Sequence, residues 1–164
     1  MLCNTSMDGV AGFNLVGMSV ELRIGLVLAL VVIAALAGLV WKVSTGRAKQ
    51  VSGGERIDLA ELGIIKNGQP VTQLTTKVTF LQFSSDFCTF CGPTAKMFQA
   101  LETSDPTVTH LELNITDRLD IANKFNVLQT PTTLVLDRKG YIKSRIGGAP
   151  KAATLVTEIG NFDI

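Results

Sequence analysis

Cys88 and Cys91 stand three positions apart in FSSDFCTFCGPTAKM, Phe83 to Met97, and the chain of 164 residues has 3 cysteines in all. Such a pair supports three readings: a redox dithiol, half of a metal site, or two incidental buried thiols. The pair follows an apolar run of strand length, Val78 to Phe83, VTFLQF. It stands where helical spacing begins, Cys88 to about Glu102, with Met97, Phe98 and Leu101 as apolar anchors. Amides at a helix start, together with the helix dipole, stabilise an anion, so a thiol there gives up its proton more easily. Positions i and i+3 share a helix face, so the two sulfurs can reach each other. A strand, then Cys-x-x-Cys, then a helix is a much more specific redox signal than the motif alone.

The metal reading needs a full shell of Cys, His or carboxylate ligands. The chain has a single histidine, His110, on an alternating segment where it is expected to face solvent. Cys3 lies on the far side of a long apolar segment from the pair, and no carboxylate spacing suggests a site. No metal and no cofactor are therefore expected. The incidental reading leaves the position of both thiols at a helix start without a reason.

The elements around the pair alternate. Ile57 to Lys66 and Val71 to Leu74, around Asn67-Gly68, read as a hairpin. Val78–Phe83 is apolar throughout, as in a central strand covered on both faces. Val108 to Ile115 alternates, with Thr109, Leu111 and Leu113 on one face and Val108, His110 and Glu112 on the other. Asp117 to Phe125 reads as a helix with Leu119, Ile121, Ala122 and Phe125 turned inward. Thr132 to Leu136 reads as a strand, 137–140 (DRKG) as a turn, and Tyr141 to Ile146 as its partner. Gly147-Gly148 breaks that strand, and Lys151 to Ile159 closes as a helix. A strand–helix–strand crossover implies parallel pairing, and the last hairpin adds antiparallel strands.

The N-terminal part differs in kind. Ile24 to Trp41, IGLVLALVVIAALAGLVW, has no charged or polar chain over 18 residues, apart from the indole of Trp41. As a helix that run is about 27 Å long, close to the ~30 Å of a bilayer core. Arg23 and Lys42 bracket it and Trp41 suits a headgroup boundary. The rival readings are a core helix, rare when apolar all round in so small a domain, and a cleaved signal peptide. The missing basic region before the run favours a retained anchor. The expected organisation is a short N-terminal segment at 1–21, a transmembrane anchor at 22–43, a flexible linker at 44–55 and a domain at 56–164. Met18 begins MSVELR, which would itself serve as a start and would leave Cys3 out of the product.

Hydrophobic residues make up 46% of the chain, the net charge is +1 and the pI is about 7.7. That balance offers no basic face for nucleic acid. No repeat or low-complexity tract is visible.

The region from Arg56 to Ile164 resembles the thioredoxin family. The resemblance is carried by Phe83, by Phe87-Cys88-Thr89-Phe90-Cys91 and by Thr130-Pro131-Thr132 in VLQTPTTLVLDRKG. It is similar in particular to small membrane-tethered thioredoxin-like proteins of bacteria. The resemblance implies an α/β fold, a central mixed sheet flanked by helices, here preceded by one transmembrane helix. It implies a cis Thr130–Pro131 bond facing the pair and a thiol–disulfide oxidoreductase in which Cys88 attacks and Cys91 resolves. Backbone at Thr130, beside Pro131, would receive an extended substrate, with Phe87 and Phe90 as an apolar rim or, alternatively, as core. The implied partners are protein disulfides or dithiols, an electron donor or acceptor, and the bilayer through residues 22–43, with the chain monomeric. The alternative is a non-catalytic peptide-binding module on the same anchor.

Departures from the family pattern are visible. Phe87 stands where the family has Trp, and Thr89-Phe90 stands between the cysteines in place of Gly-Pro. Gly92-Pro93 comes after Cys91, where proline is expected to disturb the first helical turn. Gln82 stands six residues before Cys88, where the family often has a buried Asp; an amide cannot take up a proton, and local hydrogen bonding within its strand is expected. Lys42, Arg47, Lys49 and Arg56 follow the apolar run while only Arg23, beside Glu21, precedes it, which points the domain to the cytoplasm. The bacterial tethered relatives point it outward.

Overall fold

The computed structural model describes residues 19–51 and 53–162. The readings of residues 1–18, Cys3 and Met18 among them, lie outside the described residues. The chain divides into two compact units, Met1–Val43 and Ser44–Ile164.

In the first unit, α1 runs Val20–Ser44. Its stretch Val20–Lys42 is long and apolar enough to cross a membrane, a test that a signal sequence also passes.

The second unit is built on a five-stranded sheet in the order β1-β7-β6-β4-β5. The strands are β1 (Ala48–Gln50), β4 (Val78–Ser84), β5 (Val108–Asn114), β6 (Thr132–Asp137) and β7 (Ile142–Gly147). β4 and β5 are parallel, and the β4/β6, β6/β7 and β1/β7 pairs are antiparallel. The helices are α2 (Leu59–Leu62), α3 (Cys91–Ser104), α4 (Leu119–Lys124) and α5 (Ala152–Gly160), and β2 (Ile65–Lys66) pairs with β3 (Gln69–Pro70). This is the mixed sheet flanked by helices that the resemblance implies.

β4 is buried at every position because both of its faces are covered. On one face Phe80 stacks on Phe98 of α3 with ring centroids 4.9 Å apart. On the other, Phe83 packs on Phe125, just after α4, at 5.6 Å. Each ring is a large part of its core; truncating one to Ala would cost about 3–5 kcal/mol. The central strand therefore enters the site as a fixed rail.

Several expectations are corrected. The expected hairpin at 57–74 keeps only its tip, where Asn67 (φ 52°) and Gly68 (φ 77°) supply the two positive φ angles of a tight turn. Upstream, Asp58 caps a short helix by accepting from the Ala60 N–H at 3.0 Å, and Gly63 ends it at φ 63°. Leu119, expected inward, is 71% exposed, because α4 is short and turns only Ile121 and the following Phe125 fully into the core. His110, expected in solvent, is buried at 5% exposure, since α3 covers the face of β5 that carries it. Within 44–55, expected to be a flexible linker, residues 48–51 and Glu55 are bonded along β7. Ala48, Lys49 and Gln50 oppose Ile146, Arg145 and Ser144, and Val51 donates to the carbonyl of Lys143 at 2.9 Å. Further on, the Glu55 carbonyl accepts from Ile142 at 3.1 Å.

Candidate active site

The loop that leaves β4 carries the cysteines. Ser85 accepts from the Cys88 N–H at 3.1 Å, and Cys88 accepts from the Cys91 N–H at 3.2 Å, so two tight turns lead into α3. Cys88 and Cys91 are joined as a disulfide with Cα atoms 5.4 Å apart. Cys88 is half-buried and Cys91 is 4% exposed. The helix begins at Cys91, three residues later than the spacing predicts, and Phe90 occupies the N-cap without a side-chain cap bond. Cys88 thus precedes the helix and lies in its approach turn.

This later start changes the meaning of Pro93. It is the third helical residue, where no N–H has an intrahelical partner, so its ring costs the helix no bond. The first helical bond comes from Thr94 to the Phe90 carbonyl at 3.1 Å. The expected disturbance of the first turn does not occur.

Below the disulfide, Gln82 is fully buried on β4. Its amide nitrogen donates to the carbonyl of Cys91 at 3.1 Å, and its amide oxygen lies 3.2 Å from His110 Nε2. Gln82 therefore bonds across to α3 and β5, not within its own strand as expected. His110 also stacks on Phe98, with centroids 5.0 Å apart. Burial pushes its imidazole down to about 4; nearby Glu102 opposes the shift and Lys66 adds to it. Nothing in the spacing of HLEL foretells the Gln82–His110 pair: the two meet because β4 and β5 run parallel with their even-numbered residues on one face.

The loop that leads into β6 brings the second part of the site. Thr130–Pro131 is a cis peptide. The hydroxyls of Ser85 and Thr130 are 3.1 Å apart, which joins the loop after β4 to the loop before β6. Phe87 is 90% exposed and Phe90 65%, so both belong to the surface, not the core. Leu128, which the sequence reading passed over, is 87% exposed on the loop leading to Thr130. Its sequence signal is a large apolar residue two positions before Thr130; the exposure itself comes from the structure. Among the described residues no cluster of His, Cys, Asp or Glu could hold a metal ion.

The disulfide, the uncapped helix start and the Thr130–Pro131 loop together form a thiol–disulfide oxidoreductase-like module. Solved structures with a similar fold include a thioredoxin from Nicotiana alata (23% identity, TM-score 0.46, 54% of this chain and 75% of that one). A Fasciola hepatica thioredoxin (20% identity, TM-score 0.46) covers 54% of this chain and 83% of its own. Thioredoxin-2, described as a component of malaria parasite protein secretion machinery (20% identity, TM-score 0.48), covers 56% and 88%. No curated protein matches the chain. The family model Thioredoxin matches residues 61–161, a span that holds both cysteines, Gln82, Thr130 and Pro131. The chain belongs to the thioredoxin family.

Proposed function

We propose that this protein is a membrane-anchored thiol–disulfide oxidoreductase acting on protein substrates. The observation that carries the reading is the difference in burial between two bonded cysteines at a helix start: Cys88 is half-buried, while Cys91 is buried as the first residue of α3. In the reduced protein the Cys88 thiolate attacks a substrate disulfide. A Cys88–substrate S–S bond forms, and the other substrate sulfur leaves as a thiolate that takes up a proton. The Cys91 thiolate then attacks Cys88, closing the Cys88–Cys91 bond and releasing the second substrate thiol. Two electrons pass from the dithiol to the substrate, and a separate donor must restore them; run in reverse, the same steps oxidise a dithiol.

Phe87 and Phe90 offer an apolar rim to a peptide, and backbone at Thr130, beside Pro131, offers it a strand partner. In this reading the helix Val20–Lys42 serves as a single-pass anchor, and the excess of Lys42, Arg47, Lys49 and Arg56 over Arg23 supports a cytoplasmic domain, against the outward face of the bacterial tethered relatives. The test is an equilibrium titration of the full chain in detergent against a thiol–disulfide buffer, combined with turnover of a peptide disulfide. A single two-electron transition with turnover is expected. No turnover, with peptide binding retained, would make the protein a binding module. An export-dependent reporter fused at Ile164 tests the membrane face: strong reporter activity would reverse the cytoplasmic assignment.

A further inference from the structure

Residues 45–57 precede the family match, which begins at residue 61. Thr45 and Gly46 among them nevertheless reach the wall of the redox site. Gly46 donates its N–H to the carbonyl of Gly147 at 2.8 Å, and the Thr154 hydroxyl donates to the carbonyl of Gly46 at 3.2 Å. Gly46 is buried at φ 77°, and a Cβ on it would stand 2.4 Å from the carbonyl oxygen of Ala149. A Cβ on Gly148 would stand 2.5 Å from the Thr45 methyl. Two backbones meet here with no space for a side chain between them.

The loop held in this way connects onward. Gly148, at φ 80°, donates its N–H to the carbonyl of Pro131 at 2.8 Å. A Cβ on Gly147 would come within 2.9 Å of the Gln129 amide nitrogen. Pro131 follows Thr130, whose hydroxyl meets Ser85 on the loop that carries Cys88. A Gly-Gly loop is conformationally permissive when left to itself, so its position depends on what packs against it.

We infer that Thr45 and Gly46 are positioning residues for the redox site, holding Gly147–Gly148 against Pro131 and so fixing the backbone edge that receives a disulfide-bearing peptide. The substrate part of this statement rests on the oxidoreductase reading; the clamp itself does not. The segment leaving α1 is thus a working part of the site and not merely a tether.

The test uses the full chain in detergent micelles with two variants, Gly46→Val and the near-isosteric Thr154→Val. Three quantities are read: hydrogen exchange at the Gly148 amide, steady-state constants for a peptide disulfide, and alkylation of Cys88 in the reduced protein. Gly148 exchange should accelerate about tenfold in Gly46→Val and about threefold in Thr154→Val, as expected for a locally released loop. KM should rise in the same order, while kcat and Cys88 alkylation stay within about twofold. Thr154→Val decides the matter if Gly46→Val fails to fold. Unchanged Gly148 exchange in Thr154→Val would overturn the inference. So would exchange that rises equally along β4, since that marks general destabilisation. Loss of peptide turnover in the unaltered protein would count against the oxidoreductase reading, and Gly148 exchange would still judge the clamp.

Discussion

His110 Nε2 stands 3.2 Å from the amide oxygen of Gln82, deep in the core on the face that α3 covers. Because the amide nitrogen is committed to the Cys91 carbonyl, the oxygen faces His110 and the imidazole Nε2 carries the donated proton. Gln82 is thereby satisfied at both ends, and a non-ionising residue fills the place of the family's buried acid. The Cys91 backbone rests on a hydrogen bond, with no titratable carboxyl below it at this position.

Gln82→Ala should strand the Cys91 carbonyl and the His110 ring nitrogen. A loss of about 1–3 kcal/mol is expected, the cost of unsatisfied buried partners. Urea titration followed by circular dichroism measures it. The pH profile of Cys88 alkylation should be unaltered; a marked shift would mean that Gln82 organises a proton path.

His110 makes stability depend on pH. Its folded-state value, about 4, lies below the unfolded 6.5. As pH falls, the unfolded chain takes up the proton first, so stability is full above about pH 7 and is lost on the way down towards 4. Linkage gives a loss of about 2 kcal/mol between pH 7 and pH 5. His110 is the chain's single histidine, so His110→Gln should flatten that slope. Denaturation midpoints at the two pH values check this, and an unchanged slope in the variant would refute the assignment.

The unequal burial of the cysteines is the basis of the order of action proposed for them. Cys91→Ser should accumulate a mixed disulfide between Cys88 and substrate, visible on a non-reducing gel, because no thiol remains to resolve it. Cys88→Ser should accumulate none. Faster alkylation of Cys91 than Cys88 in the reduced protein would reverse the roles.

Phe87, Phe90 and Leu128 bury little surface in the domain, so replacing each with Ala should leave stability within about 0.5 kcal/mol. If they receive a peptide, each should raise KM by roughly fivefold, equivalent to about 1 kcal/mol of binding. Equal KM values across all three variants and the unaltered protein would remove the apolar rim from the site.

The cysteine pair, the buried strand before it and the Thr130–Pro131 loop were legible in the sequence because each depends on local signals: apolar runs, helical spacing and a family motif. The later start of α3 was not, since Phe90 at the N-cap has none of the usual capping chemistry. Burial of His110 was hidden because one alternating strand cannot reveal which of its faces a helix will cover. Leu119 misled for the same reason, as the register of a six-residue helix is set by its packing. The pairing of residues 48–50 with β7 is a contact across nearly a hundred positions, and the Gly- and Lys-bearing composition of that stretch reads locally as a linker.

β1 also bears on how a soluble form of the domain should be cut. A fragment started at residue 61, where the family match begins, would discard the strand that covers β7, along with the buried side chains of Ile57 and Leu59. The backbone of β7 would then be bare along one side, a template for pairing between copies and for precipitation. A cut placed between Lys42 and Thr45 keeps that side covered, so the two fragments should differ sharply in yield and in their tendency to self-associate.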